Sequence, residues 1–148
     1  KKELLDAGAS HVIVTAEENL TEKVLQITQG KGANVAFDPV GGAGATDIIR
    51  ALSHGGQFYQ YGALSAEPIS VPVMDLLAKH LTIRGYELFE ITMDNHKLAH
   101  AKAFITQGLA QGALKPLIAK IFDFNDISNA HRYMEAGNQV GKIVVTIA

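Results

Sequence analysis

Short, uninterrupted apolar runs alternate along this chain with segments whose apolar residues recur every three or four positions. The runs His11–Val14, Val35–Phe37, Gln57–Tyr61, Leu81–Tyr86, Leu117–Phe122 and Lys142–Ile147 are rich in β-branched and aromatic residues, and each predicts a strand. Between them, Leu20, Val24 and Ile27 fall at helical spacing, with Asn19 three residues ahead of Glu22 as a partial capping box and Gly30 as the stop. Further helices are expected at about Ala45–Leu52, Val73–His80, Asn95–Gly108 and Asp126–Ala136. The clearest amphipathic stripe is Leu98, Ala101, Ile105 and Leu109.

Strands that are apolar throughout are buried on both faces, and alternation with helices at this spacing argues for parallel βαβ units. The expected fold class is therefore α/β: a parallel sheet with helices on both faces. The composition shifts at Gly112–Pro116, which divides the chain into residues 1–112 and residues 113–148. The opening Lys1-Lys2-Glu3-Leu4-Leu5-Asp6 reads as the interior of a helix, with no capping residue before it, and not as a signal peptide.

Composition narrows the picture without choosing a function. A chain of 148 residues that is 47% hydrophobic and 19% charged can bury one sizeable core. Its net charge of −2 is spread along the chain, and no basic run offers a footprint for nucleic acid or an anionic membrane. No apolar stretch reaches membrane-spanning length. The absence of cysteine excludes disulfides, thiolate metal sites and a cysteine nucleophile, and fits a cytoplasmic setting.

In an open parallel sheet, ligands bind beyond the C-terminal strand ends. Two such ends are rich in glycine: Asp38-Pro39-Val40-Gly41-Gly42 and Tyr61-Gly62-Ala63-Leu64. Glycine there allows backbone to approach a ligand closely, although a turn needing positive φ asks for the same residues. The G-x-G-x-x-G turn that lays a pyrophosphate on a helix N-terminus is absent; Gly41-Gly42-Ala43-Gly44 lacks its spacing. His96 and His100 have the i,i+4 spacing of two metal ligands but no third, so they read as a solvated helix face. No G-x-S-x-G elbow surrounds Ser53, Ser65 or Ser70, and Tyr59 and Tyr61 read as packing residues on a buried strand.

The ordered motifs resemble one family. Asp6-Ala7-Gly8-Ala9-Ser10-His11-Val12-Ile13, Phe37-Asp38-Pro39-Val40-Gly41-Gly42, Ala51-Leu52-Ser53-His54-Gly55-Gly56-Gln57 with Tyr61-Gly62, and Leu81-Thr82-Ile83-Arg84-Gly85-Tyr86 resemble successive parts of the Rossmann domain of medium-chain dehydrogenases/reductases. Leu114-Lys115-Pro116-Leu117-Ile118 and Gly141-Lys142-Ile143-Val144-Val145 resemble the closing segment of the zinc-independent quinone-reductase branch. The resemblance covers essentially the whole chain. It implies that residues 1–112 are the C-terminal part of a Rossmann domain. Residues 113–148 would be the returning segment of a GroES-like catalytic domain whose other strands, like the glycine-rich turn, precede Lys1.

By this resemblance, Val40, Gly41 and Gly42 would lie beside the adenosine half of a dinucleotide, and Tyr61, Gly62, Ala63 and Leu64 would line the nicotinamide side. Thr15 stands where several relatives have a tyrosine packed on adenine. The lysine that reads the 2′-phosphate lies upstream, so NADP(H) is expected from the branch alone and NAD(H) remains open. The activity implied is hydride transfer to a small quinone or an activated alkene or carbonyl, with catalytic residues not assigned and no metal expected. A homodimer through the edge strand Leu81–Tyr86 is implied as well, since nothing in that strand blunts an edge. Two alternatives stand beside this reading: a zinc-dependent alcohol dehydrogenase of the same superfamily, and a non-catalytic module that keeps the fold.

Overall fold

The computed structural model describes residues Lys1–Ile147, which divide into two compact units: His11–Asn95, and Lys1–Ser10 together with the described residues from His96 onward. By contacts, the long helix after Asn95 thus goes with the later strands. The sequence pattern had suggested a break after Gly112.

In the first unit, a helix α2 at Leu20–Ile27 is started by the Asn19 side chain, whose Oδ1 accepts from the Glu22 amide at 3.0 Å. This side-chain cap satisfies one of the orphan amides of the first turn. Strand β1 (Ala33–Asp38), helix α3 (Gly44–Arg50), strand β2 (Leu52–Gln60), helix α4 (Val73–Ala78) and strand β3 (Thr82–Gly85) follow. The three strands form a parallel sheet in the order β1-β2-β3, with Ala36 opposite Phe58 and Phe58 opposite Ile83. Each strand-to-strand connection carries one helix, as parallel pairing requires.

The core lies between this sheet and its helices. Ala45 and Ile49 of α3, Leu52 and Phe58 of β2, and Leu81 are buried together, with Ile48, Ile69, Val71 and Leu76 packed around them. Phe58 is fully enclosed. The opposite face of the sheet carries Val35 and Phe37, with Tyr59 stacked on Phe37 at a centroid distance of 5.0 Å.

Two expectations fail here. His11–Val14 is not a strand: the Val14 carbonyl accepts from the amides of Glu17 and Glu18, and its amide donates to the Glu18 carboxylate at 3.1 Å. Local turn bonds have taken the groups a ladder would use. The turn expected at Ser53–Gly56 is absorbed into β2, whose register against β1 slips between Ala33 and Val35. The slip is the physical trace of that turn, with Gly55 in the left-handed region at φ 70°.

The second unit holds helix α1 (Lys2–Asp6), helix α6 (Asn95–Ala110, its first residue shared with the other unit), strand β4 (Ile118–Asp123), a short 3-10 turn at Phe124–Asp126, helix α7 (Ile127–Glu135) and strand β5 (Lys142–Thr146). Strands β4 and β5 pair in parallel, with α7 between them in sequence. Phe122 and Ala130 are buried there, and Lys120 Nζ sits 4.6 Å from the Phe122 ring centroid. The stripe expected to be the buried face of α6 is not buried: Leu98 and Ala101 are partly covered, while Ile105 and Leu109 are exposed.

Candidate functional site

The site grows out of a buried carboxylate. Asp38 ends β1 at only 3% exposure, and its two oxygens accept from the amides of Val40 at 2.8 Å and Gly41 at 3.1 Å. These bonds fold the chain sharply after the strand. Gly41 and Gly42 then take φ values of 76° and 66°, which a side chain at either position would strain.

The segment after β2 is stapled to this turn. Amides of Tyr61, Leu64 and Ser65 donate to the carbonyls of Asp38, Pro39 and Val40 at 3.0, 3.2 and 2.9 Å. Gln60 adds a side-chain bond, its Nε2 donating to the Gly62 carbonyl at 2.6 Å, while its Oε1 is buried without a partner. The contact is tight enough that a Cβ on Gly42 would meet Ser65 Oγ at 2.5 Å. The two glycine-rich strand ends are therefore one backbone-bonded body.

A cavity opens on each side of it. The first, of about 560 Å³, is walled by Thr15, Asn19, Leu20, Asp38, Val40 and Gly41, among others. Its carboxylates are all engaged: Asp38 on backbone amides, Glu18 on the Val14 amide and Lys23, and Asp47 beside Arg50. The space they enclose suits a flat, neutral group better than a charged one.

The second, of about 710 Å³, lies beyond the ends of β2 and β3. Tyr61, Gly62 and Ala63 form one side; Tyr86, Phe89 and Met93 form the other, together with Glu87 and Glu90. Phe89 belongs to a short helix α5 (Phe89–Thr92), which the sequence pattern did not announce. The Glu90 carboxylate is paired with Arg84 of β3.

Of the residues singled out from sequence, Val40 and Gly41 line the first cavity and Tyr61, Gly62 and Ala63 the second. Gly42 and Leu64 line neither of these two: Gly42 is turned onto Ser65, and Leu64 is 80% exposed. Thr15 does face the first cavity. Tyr86, Glu87, Phe89 and Met93 were missed; Gly85 at a strand end followed by an aromatic was the available signal. Tyr59 donates its hydroxyl to Gln57 Oε1 at 2.7 Å and is occupied in packing on Phe37.

Among the described residues, no three histidine, aspartate or glutamate side chains converge as a metal cage. His54 and His80 lie with ring centroids 4.7 Å apart, at the end of the unit where β2 begins.

Residues 7–145 match the family described as zinc-binding dehydrogenase. The mitochondrial enoyl-[acyl-carrier-protein] reductase of Yarrowia lipolytica is 38% identical over 90 residues, which is 60% of this chain and 24% of that protein. The 2-haloacrylate reductase of a Burkholderia species is 28% identical over 141 residues, covering 93% of this chain and 42% of that protein. The solved structure of a mycobacterial quinone oxidoreductase superposes with a TM-score of 0.78 at 25% identity, over 95% of this chain and 44% of that one. The chain thus spans less than half the length of each of these relatives. The zinc implied by the family's description finds no fitting donor set among the described residues.

Proposed function

Because this chain belongs to the zinc-binding dehydrogenase family, within the medium-chain dehydrogenases/reductases, we propose that it is part of an NADP(H)-dependent, zinc-independent reductase acting on a quinone or an activated alkene or carbonyl. The observation that carries this reading is the pair of cavities at the C-terminal ends of parallel strands, separated by the stapled turns at Asp38–Gly42 and Tyr61–Ser65. A dinucleotide has two flat ends joined by a charged middle, and ligands of such sheets lie across this edge. The residues present fit the two ends.

In this reading Val40 and Gly41 flank the adenosine half, with Gly42 holding their turn against Ser65. Tyr61, Gly62 and Ala63 flank the nicotinamide half, with Leu64 at its rim. NADP(H) is assigned over NAD(H) on the quinone-reductase likeness of the closing segment, Gly141-Lys142-Ile143-Val144-Val145. Residues 113–148 belong, on the same reading, to a second, catalytic domain of a longer cytoplasmic protein.

Bound NADPH supplies a hydride, which with a proton from solvent reduces the acceptor and leaves NADP⁺. The contribution of this chain is to bind, orient and exclude water. The stapled turns fix both walls, and Phe89 and Met93 keep the acceptor side apolar. No proton donor is assigned to it.

The edge strand β3 supports a homodimer, since Thr82–Gly85 are all exposed and pair on one side only among the described residues. NADPH oxidation by the longer protein with a small quinone or enone tests the activity. Oxidation in the presence of such an acceptor, and none without it, is the expected result; no oxidation with any acceptor overturns the reading.

A further inference from the structure

Resting on the reductase reading above, we infer that the cavity beyond β2 and β3 selects acceptors without a formal charge near the reacting carbon, and that Glu87 is the residue that turns carboxylates away. Tyr61, Tyr86, Phe89 and Met93 make much of the lining aromatic or apolar, Gln60 adds an uncharged amide, and no lysine, arginine or histidine is part of it among the described residues. Two acids line it. Glu90 is compensated by Arg84, and that pairing also commits the Arg84 guanidinium. Glu87 is exposed, and among the described residues its carboxylate has no hydrogen bond or ion pair. The cavity therefore carries one uncompensated negative charge against aromatic walls.

An acrylate-type acceptor carries a full negative charge on a carboxylate attached to the carbon beside the one that takes the hydride. To enter, it would lose hydration against apolar side chains, find no cation on the lining, and approach Glu87. A quinone, an enone or an enoyl thioester has no charge to desolvate. Negative charge develops on its carbonyl oxygen only as hydride arrives. This separates the named relatives by chemistry: the cavity matches the uncharged quinone and enoyl acceptors and opposes the carboxylate of a haloacrylate.

The test uses the full-length protein as wild type, Glu87→Gln and Glu87→Lys, with methyl vinyl ketone and 2-chloroacrylate as the neutral and anionic acceptors. Comparing the ratio of kcat/KM values between variants removes the intrinsic reactivity of each acceptor. The ratio of neutral to anionic acceptor is expected to fall about tenfold in Glu87→Lys, with Glu87→Gln intermediate, and the change is expected to shrink at high salt. A binding readout accompanies it: propionate, which cannot be reduced, is expected to bind the NADP⁺-loaded Glu87→Lys protein about tenfold more tightly than wild type. If the protein reduces acceptors but neither the ratio nor propionate binding responds to these substitutions, Glu87 is not the selector and the inference falls while the reductase reading stands. If no acceptor is reduced by any variant, the reductase reading fails and this inference goes with it.

Discussion

The α-carbon of Gly62 lies against the backbone of Pro39, so closely that a Cβ at position 62 would sit 2.6 Å from the Pro39 carbonyl oxygen and 3.1 Å from its Cα. Backbone, unlike a flexible side-chain tip, cannot yield cheaply. This glycine keeps the two strand-end turns in register, which is a different reason for its presence than room for a ligand.

Gly62→Ala should therefore lower stability as well as impair the site. Overpacking of this kind costs about 1–3 kcal/mol. Thermal unfolding of the chain should show a lower Tm, and cofactor affinity of the full-length protein should fall in parallel. Unchanged Tm with weakened cofactor binding would mean that the turn adapts and that Gly62 acts through ligand clearance alone.

Asp38 is the next test of the same body. Asp38→Asn replaces one acceptor oxygen by an NH₂ group facing an amide it cannot accept from, at a site with 3% exposure. An unsatisfied buried group costs about 1–3 kcal/mol. Denaturant unfolding should show a lower midpoint with an unchanged m-value. A midpoint equal to wild type would show that the Pro39–Gly42 turn holds without one of these two bonds.

How much of this was legible in the sequence depended on the range of the interaction. Asn19 and Glu22 are three residues apart, and their capping bond is present as the spacing indicated. The strand ends at Asp38 and, to within a residue, at Gln60 were also readable, because glycine and a preceding apolar run are local signals. His11–Val14 has strand composition, but a strand is defined by its partner, and Glu18 supplied a local one instead. The stripe on α6 shows the same limit in reverse: the helix is present, while Ile105 and Leu109 remain about half exposed. The second cavity was least legible. Tyr86, Phe89 and Met93 meet Gly62 and Ala63 only because β2 and β3 pair in a particular register.

Thr15 lines the first cavity, where the proposed reading puts the adenosine half of the cofactor. Thr15→Tyr in the full-length protein should tighten NADPH binding, since aromatic stacking is worth about 0.5–1.5 kcal/mol. That corresponds to about two- to tenfold in Kd. Calorimetry with NADPH checks it; no gain, or a loss, would place the adenine outside this cavity.

The exposed edge makes the dimer testable by one substitution. The Tyr86 amide donates to the Gln60 carbonyl at 2.9 Å, so by the period of two along a strand the Ile83 amide points outward. Ile83→Pro removes that outward donor while leaving the bonds to β2. The full-length protein should scatter light as a dimer at micromolar concentration and Ile83→Pro as a monomer. A wild-type monomer, or a Pro variant that remains dimeric, would show that β3 is not the seam.

The sharpest test concerns what this chain lacks. A dinucleotide's pyrophosphate is normally held by a glycine-rich turn through backbone amides and the dipole of the following helix. None of the 148 residues forms that motif. Nor can the turn at Asp38–Gly42 substitute fully, because the Val40 and Gly41 amides are already given to the Asp38 carboxylate. Hydrogen bonds to charged groups are worth about 1.5–3 kcal/mol each, so missing two weakens binding by about 3–6 kcal/mol. That is about two to four powers of ten in Kd. The isolated chain should therefore bind NADPH far more weakly than the full-length protein and turn nothing over, with its residual affinity coming from the apolar ends of the cofactor. Residual binding of that origin should depend little on salt, whereas binding by the full-length protein, if a glycine-rich turn there holds the pyrophosphate, should weaken as salt rises. Micromolar, salt-insensitive NADPH binding by the 148-residue chain alone would show that the two cavities, and not a phosphate grip, dominate recognition.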